Sequence, residues 1–132
     1  MTIQNKFWVD NITEAIGNTP LVRLNRMAQE RGVKATVLVK PEYMNPTGSI
    51  KDRMAVYILD QAISRGELKP GGTIVEATSG NTGAAVAMYA AVNGFKAILT
   101  IPDKMSREKV DTLRAFGAEV HICPTAVPAE SP

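Results

Sequence analysis

Short β-rich runs alternate with helical runs along this chain, each bounded by glycine or proline, and that alternation leaves few folds open. Residues 73–77 predict a strand, residues 84–92 a small-residue helix closed by Gly94, and residues 97–101 a strand stopped by Pro102. Ser106 then caps a helix that carries Val110, Leu113 and Phe116 and ends at Gly117, and residues 120–123 form a last strand. Parallel neighbours need a crossover long enough to hold a helix, so this order belongs to parallel α/β units. Upstream, residues 21–24 and 36–40 read as strands around a helical turn near residues 27–31. Residues 49–65 read as a helix with Met54, Ala55, Ile58, Leu59, Ala62 and Ile63 on one face. The expectation is an α/β protein: a parallel, three-layer αβα sheet, Rossmann-like, of about four strands within residues 35–132. Its helices would begin near Ser49, Gly83 and Ser106. Right-handed crossovers would leave the loops at the strand carboxyl ends free to bind ligands.

Charge and composition remove several function classes. The net charge is +2, with fifteen Lys and Arg scattered among thirteen acids, so no basic stripe marks a nucleic-acid surface. One cysteine, Cys123, and one histidine, His121, leave no disulfide and almost no room for a zinc site. The longest apolar stretch, residues 84–92, is too short to span a bilayer and no signal peptide is visible, so the cytoplasm is the expected location. His121 has no acid partner in this reading and is taken as a structural or surface histidine rather than a catalytic one. Cys123 reads as a buried, inert thiol. Trp8 reads as packing against another element or subunit, and the methionines as core filler.

Two segments carry chemistry. Asn45-Pro46-Thr47-Gly48-Ser49-Ile50-Lys51-Asp52-Arg53 joins a turn to a helix start, where Ser49 and Asp52 have the spacing of a capping box. Lys51 then falls in the first helical turn, where the positive end of the helix dipole opposes a cation. The same field favours the uncharged amine that imine chemistry needs, although a surface lysine in a capped helix has the same pattern. Thr78-Ser79-Gly80-Asn81-Thr82-Gly83 lies between a strand and a helix. Its hydroxyls, amide and backbone N–H groups suit a carboxylate or a phosphate, or simply a polar turn with a cap.

The first segment resembles the cofactor-lysine motif of the fold type II, β-family enzymes that use pyridoxal phosphate (PLP). The second resembles the substrate-carboxylate loop of their cysteine synthase and cystathionine β-synthase branch. Ile12-Thr13-Glu14-Ala15-Ile16-Gly17-Asn18-Thr19-Pro20-Leu21-Val22-Arg23-Leu24 is also similar to that branch. The segment Asp103-Lys104-Met105-Ser106-Arg107-Glu108-Lys109-Val110-Asp111 and the tail from Pro124 favour cystathionine β-synthase over cysteine synthase. Threonine dehydratases and serine racemases usually place a histidine where this chain has Thr82.

The resemblance implies pyridoxal 5′-phosphate as cofactor. It makes Lys51 the lysine that binds it and moves the substrate α-proton, and Asn81 the partner of the ring hydroxyl. Thr78, Ser79, Gly80 and Thr82 would hold the amino-acid carboxylate. The implied reaction replaces a β-hydroxyl or β-acetoxy group of serine, or of an O-activated serine, with a thiol such as L-homocysteine. The partners are an amino acid and a thiol, with neither nucleic acid nor membrane, and the full-length family member would be a homodimer. Residues 1–40 would pack with a large domain, and residues 41–132 would form the small domain that carries the lysine and the carboxylate loop. The family's glycine-rich phosphate loop has no counterpart in these residues, so the 132-residue chain alone is expected to bind PLP weakly and to be inactive. An interaction module built on the same fold stays open. A nucleotide-binding domain is disfavoured, because the first βα turn lacks Gly-x-Gly-x-x-Gly.

Overall fold

The computed structural model describes residues 8–125. Most of the tail that begins at Pro124 therefore lies outside the described residues. Strands β1 (Val22–Arg23) and β2 (Leu38–Val39) flank helix α1 (Asn25–Glu30). Helix α2 (Lys51–Ser64) follows, and then β3 (Thr73–Ala77), α3 (Asn81–Asn93), β4 (Lys96–Pro102), α4 (Arg107–Ala115) and β5 (Glu119–Cys123) alternate to the end. The last three strands form a parallel sheet in the order β3-β4-β5, pairing Val75 with Ile98 and Leu99 with Val120.

The fold is the expected α/β class, with a parallel sheet flanked by helices. The sheet has three strands rather than four. The expected strand at residues 36–40 pairs antiparallel with β1 instead, Val22 opposite Val39, in a ribbon of its own. Two residues per strand make a minimal ladder, and both strands are exposed.

Spatial order repeats chain order, so right-handed crossovers put α3 and α4 on the same face of the sheet. Side-chain alternation agrees. Ala97, Leu99 and Ile101 are buried on that face with Ile74 and Val120 packed beside them, whereas Val75 on the other face is 67% exposed. Helix α3 is the centre of the core: Gly83 through Ala90 are all buried, five of those eight residues alanine or glycine. Short side chains let α3 lie close to the sheet and to α2 and α4 at once. A helix apolar all round is a buried helix.

Helix α2 buries less than its pattern suggests. Ala55 and Leu59 are enclosed, while Met54, Ile58 and Ile63 of the same stripe are 39%, 52% and 38% exposed. The methionines divide similarly: Met88 is core, but Met27 and Met44 are more than half exposed, which corrects their reading as core filler. Behind α3, the Tyr89 hydroxyl donates to the Asp60 carboxylate and its ring stacks on Phe95 at 6.3 Å. Burial, reinforced by that bond, pushes the Tyr89 phenol well above its ordinary range.

Cys123 and His121 also differ from expectation. Cys123 is exposed, because β5 is an edge strand. His121 has an acid neighbour after all: Glu119, two residues earlier and hence on the same side of β5, lies 2.7 Å from its Nε2. Among the described residues no helix is long and apolar enough to cross a membrane.

Candidate active site

The carboxyl end of β3 runs into the loop of residues 78–80, and the expected six-residue loop is shorter than anticipated. Asn81, Thr82 and Gly83 are the first turn of α3. The early start has a local cause. Thr78 is buried, and its Oγ1 accepts the backbone N–H of Gly80 at 3.1 Å and of Gly83 at 2.9 Å, capping the helix from outside it. That arrangement leaves no space on Gly83, where a Cβ would lie 2.5 Å from Thr78 Cγ2. Gly80 adopts φ +143°, a conformation that excludes residues with a Cβ.

Lys51 lies in the first turn of α2, as expected, although the helix starts at Lys51 itself and not at Ser49, and the expected capping box does not form. The Ser49 hydroxyl accepts the Lys51 N–H at 3.2 Å, and Asp52 turns back to Thr47. The Asp52 carboxylate accepts the Thr47 N–H at 2.8 Å and the Thr47 hydroxyl, and it has no exposed surface. Gly48 permits this, because its N–H closes a turn onto the Asn45 carbonyl at 2.8 Å and brings Thr47 over the helix start. The buried carboxylate therefore fixes the turn immediately before Lys51.

Arg53 and Asn45 of the same motif enter a network that joins the two ends of the motif to residues 17–19. Arg53 Nε donates to Glu42 at 2.8 Å and its Nη2 to the Thr19 hydroxyl at 2.8 Å. Thr19 donates in turn to Glu42 at 2.9 Å. Asn45 donates to the same carboxylate at 2.7 Å and accepts the Gly17 N–H at 3.0 Å. The Arg53 bond holds the Glu42 carboxyl at a pKa of about 2, helped by Asn45 and Thr19 and opposed by partial desolvation.

A folded pKa below the unfolded one makes this network's contribution complete above about pH 4.5 and lost as pH falls through about 2. Arg53→Gln is expected to move the Glu42 titration, followed by carboxyl NMR, up toward 4.5. An unchanged midpoint would show that Arg53 is not the cause.

Lys51, Ser79, Asn81 and Thr82 line one cavity of about 190 Å³, so the structure brings these four expected site residues together. The Thr78 hydroxyl oxygen is turned to the helix cap, and Gly80 lines the neighbouring cleft of about 240 Å³ with Asn81, Thr47 and Ser106. A third pocket, about 360 Å³, lies along the same carboxyl edge between Thr78, Thr100 and Cys123. Lys51 is half-buried and enters no ion pair among the described residues.

A further residue completes the first cavity. Lys109 reaches from α4 to place Nζ 3.4 Å from the Ser79 carbonyl oxygen. The sequence signal for it was available: α4 follows β4 as α3 follows β3, so the first turns of both helices open on one sheet edge.

Comparison with known proteins gives consistent matches along most of the chain. A family model described as "Pyridoxal-phosphate dependent enzyme" matches residues 12–131. The chain is 49% identical to cystathionine beta-synthase of Rattus norvegicus, over 92% of this chain and 22% of that protein. It is 47% identical to cysteine synthase 1 of Emericella nidulans, over 98% of this chain and 34% of that one. It is 51% identical to the probable cysteine synthase of Bacillus subtilis, over 88% and 37% respectively. The crystal structure of O-ureido-L-serine synthase superposes with a TM-score of 0.84 at 42% identity, covering 93% of this chain and 38% of that chain. The chain thus spans between about a fifth and two fifths of the length of these relatives.

Proposed function

Because the chain belongs to the pyridoxal-phosphate dependent enzyme family, we propose that it supplies the cofactor lysine and the amino-acid carboxylate loop of a β-replacing enzyme. The reaction proposed is replacement of the β-substituent of serine, or of an O-activated serine, by a thiol. The observation that carries this reading is the single cavity that collects Lys51, Ser79, Asn81 and Thr82.

The residues present suit one end of the cofactor. A half-buried primary amine that joins no ion pair among the described residues matches an aldehyde, and the Asn81 amide matches a ring hydroxyl. In this reading Lys51 and Asn81 hold PLP, which when bound supplies an electron sink for carbanion chemistry. Ser79, Thr82 and the backbone N–H groups at the start of α3 hold the substrate carboxylate, with Gly80 keeping the loop close to it and Thr78 fixing the loop from behind. The Lys51 amine takes the proton from the substrate α-carbon and returns one there. The rigid turn before Lys51 limits the positions its amine can sweep, which is how orientation lowers a barrier.

Between the two activities of the branch, we favour the cystathionine β-synthase type, with serine and an amino-acid thiol such as L-homocysteine. Support comes from the segment from Asp103 to Asp111, and the relatives include both types. The decisive measurement is turnover by the protein that carries this chain, loaded with PLP, given L-serine or O-acetylserine with L-homocysteine or sulfide. Faster turnover of the serine–homocysteine pair is expected. Exclusive use of O-acetylserine with sulfide would make it a cysteine synthase, and no turnover of any pair would remove the β-replacement reading.

A further inference from the structure

Lys109 shares the cavity with Lys51, yet the reaction as described above assigns it nothing. Its aliphatic stem crosses Gly80: a Cβ there would meet Lys109 Cδ at 3.2 Å, Cε at 3.4 Å and Nζ at 3.5 Å. Gly80 therefore answers two demands, the backbone at φ +143° and a path for this lysine. At 3.4 Å the contact from Nζ to the Ser79 carbonyl is long for an N–H···O bond, and it occupies one of three ammonium donors.

Among the described residues Lys109 has no ion-pair partner, whereas Arg107 in the same turn pairs with Asp111 at 3.6 Å. Glu108 lines the adjacent cleft, which Lys109 also borders. The result is an ammonium tethered over the loop of residues 78–80 and the start of α3, held by a weak contact and close to where an anionic ligand of those residues would sit.

We propose that Lys109 is a specificity-determining residue for the substrate carboxylate. This rests on the reading that residues 78–82, the loop and the start of α3, hold an amino-acid carboxylate. Lys109 has two effects in this role. Its contact with Ser79 fixes the carbonyl away from the ligand, so that the loop presents donors to the cavity. Its charge then favours a carboxylate over a neutral amide at the same position.

The test has two parts. In the first, acetate is titrated into the 132-residue chain and the backbone amides of residues 79–82 and 109 are followed by NMR. Wild-type amides are expected to shift. Lys109→Met, which keeps the stem and removes the charge, should weaken acetate binding at least about tenfold. Lys109→Arg, a cation of different shape, should lose only about threefold.

In the second part, the PLP-loaded protein is titrated with L-serine and with L-serinamide, which lacks the carboxylate. Lys109→Met should weaken the first about tenfold and the second less than twofold. Unchanged acetate binding in Lys109→Met, or equal weakening of serine and serinamide, would overturn the proposal and reduce Lys109 to a strap on the loop. Lys109-dependent acetate binding with no serine binding at these amides would uphold the role of Lys109 and remove the amino-acid reading instead.

Discussion

Lys51→Ala, introduced into the protein that carries this chain, is expected to end covalent retention of pyridoxal phosphate after borohydride reduction. Turnover should fall with it. Loss of the proton-transferring group alone costs about 10²–10⁴-fold, and loss of the covalent link adds to that. The fold should be untouched. Lys51 is half-buried at a helix start and joins no ion pair among the described residues, so truncation there changes stability by about 0.5 kcal/mol or less. Peptide mapping after reduction checks the assignment against the other amine of the cavity, Lys109. Cofactor attached to Lys109 in the wild-type protein, or retained in the alanine variant, would transfer the role away from Lys51.

The second large effect lies one residue further along. Asp52→Ala is expected to lower stability by about 3–5 kcal/mol, since hydrogen bonds to a charged group contribute about 1.5–3 kcal/mol each and two partly buried donors on Thr47 lose their acceptor. That is a large part of the stability of any single domain. Asp52→Asn keeps one acceptor oxygen and should lose roughly half as much, which preserves a readable variant if alanine prevents folding. Urea midpoints measure both, and a loss below about 1 kcal/mol for alanine would mean that the Thr47 contacts contribute little. Combined with Thr47→Val, the effects should be less than additive, because the two side chains serve one another.

Legibility in the sequence followed how local the determining interactions are. Strands β3, β4 and β5 were readable because each is a short apolar run ended by a polar loop, a proline or both, and α3 ends at the expected Gly94. Helix α3 starts three residues before the expected position because the Thr78 hydroxyl caps it across Gly80, and nothing in the spacing announces that bond. The capping box failed for a related reason: Asp52 had a better-placed donor in Thr47 than in Ser49. A strand at residues 36–40 was visible, but its partner was not, and β-propensity does not say which sheet a strand joins.

Around the site, Lys51, Ser79, Asn81 and Thr82 come together from two segments whose composition is visible in the sequence. Lys109 is less legible, because a lysine on an amphipathic helix ordinarily faces solvent. Its role depends on the absence of a side chain at Gly80, twenty-nine residues earlier, a relation that only the folded chain displays.

The agreement between spatial and chain order in the sheet also bears on how the molecule assembles in time. In β3-β4-β5 each new strand docks against the one just made, and the helix between them is already available to cover the junction. Every strand pairing closes a loop of little more than a single βα unit, so the entropic cost of the parallel sheet is met in small steps instead of one long closure. A chain leaving the ribosome amino-terminus first can therefore build this sheet by accretion, with β4 exposed as an edge only until β5 arrives. The contact from Arg53 to Thr19 spans 34 residues and belongs to a separate, longer-range event. Sheet and clamp thus separate into local growth and long-range locking, and the turn that carries Lys51 lies where the second event joins the first.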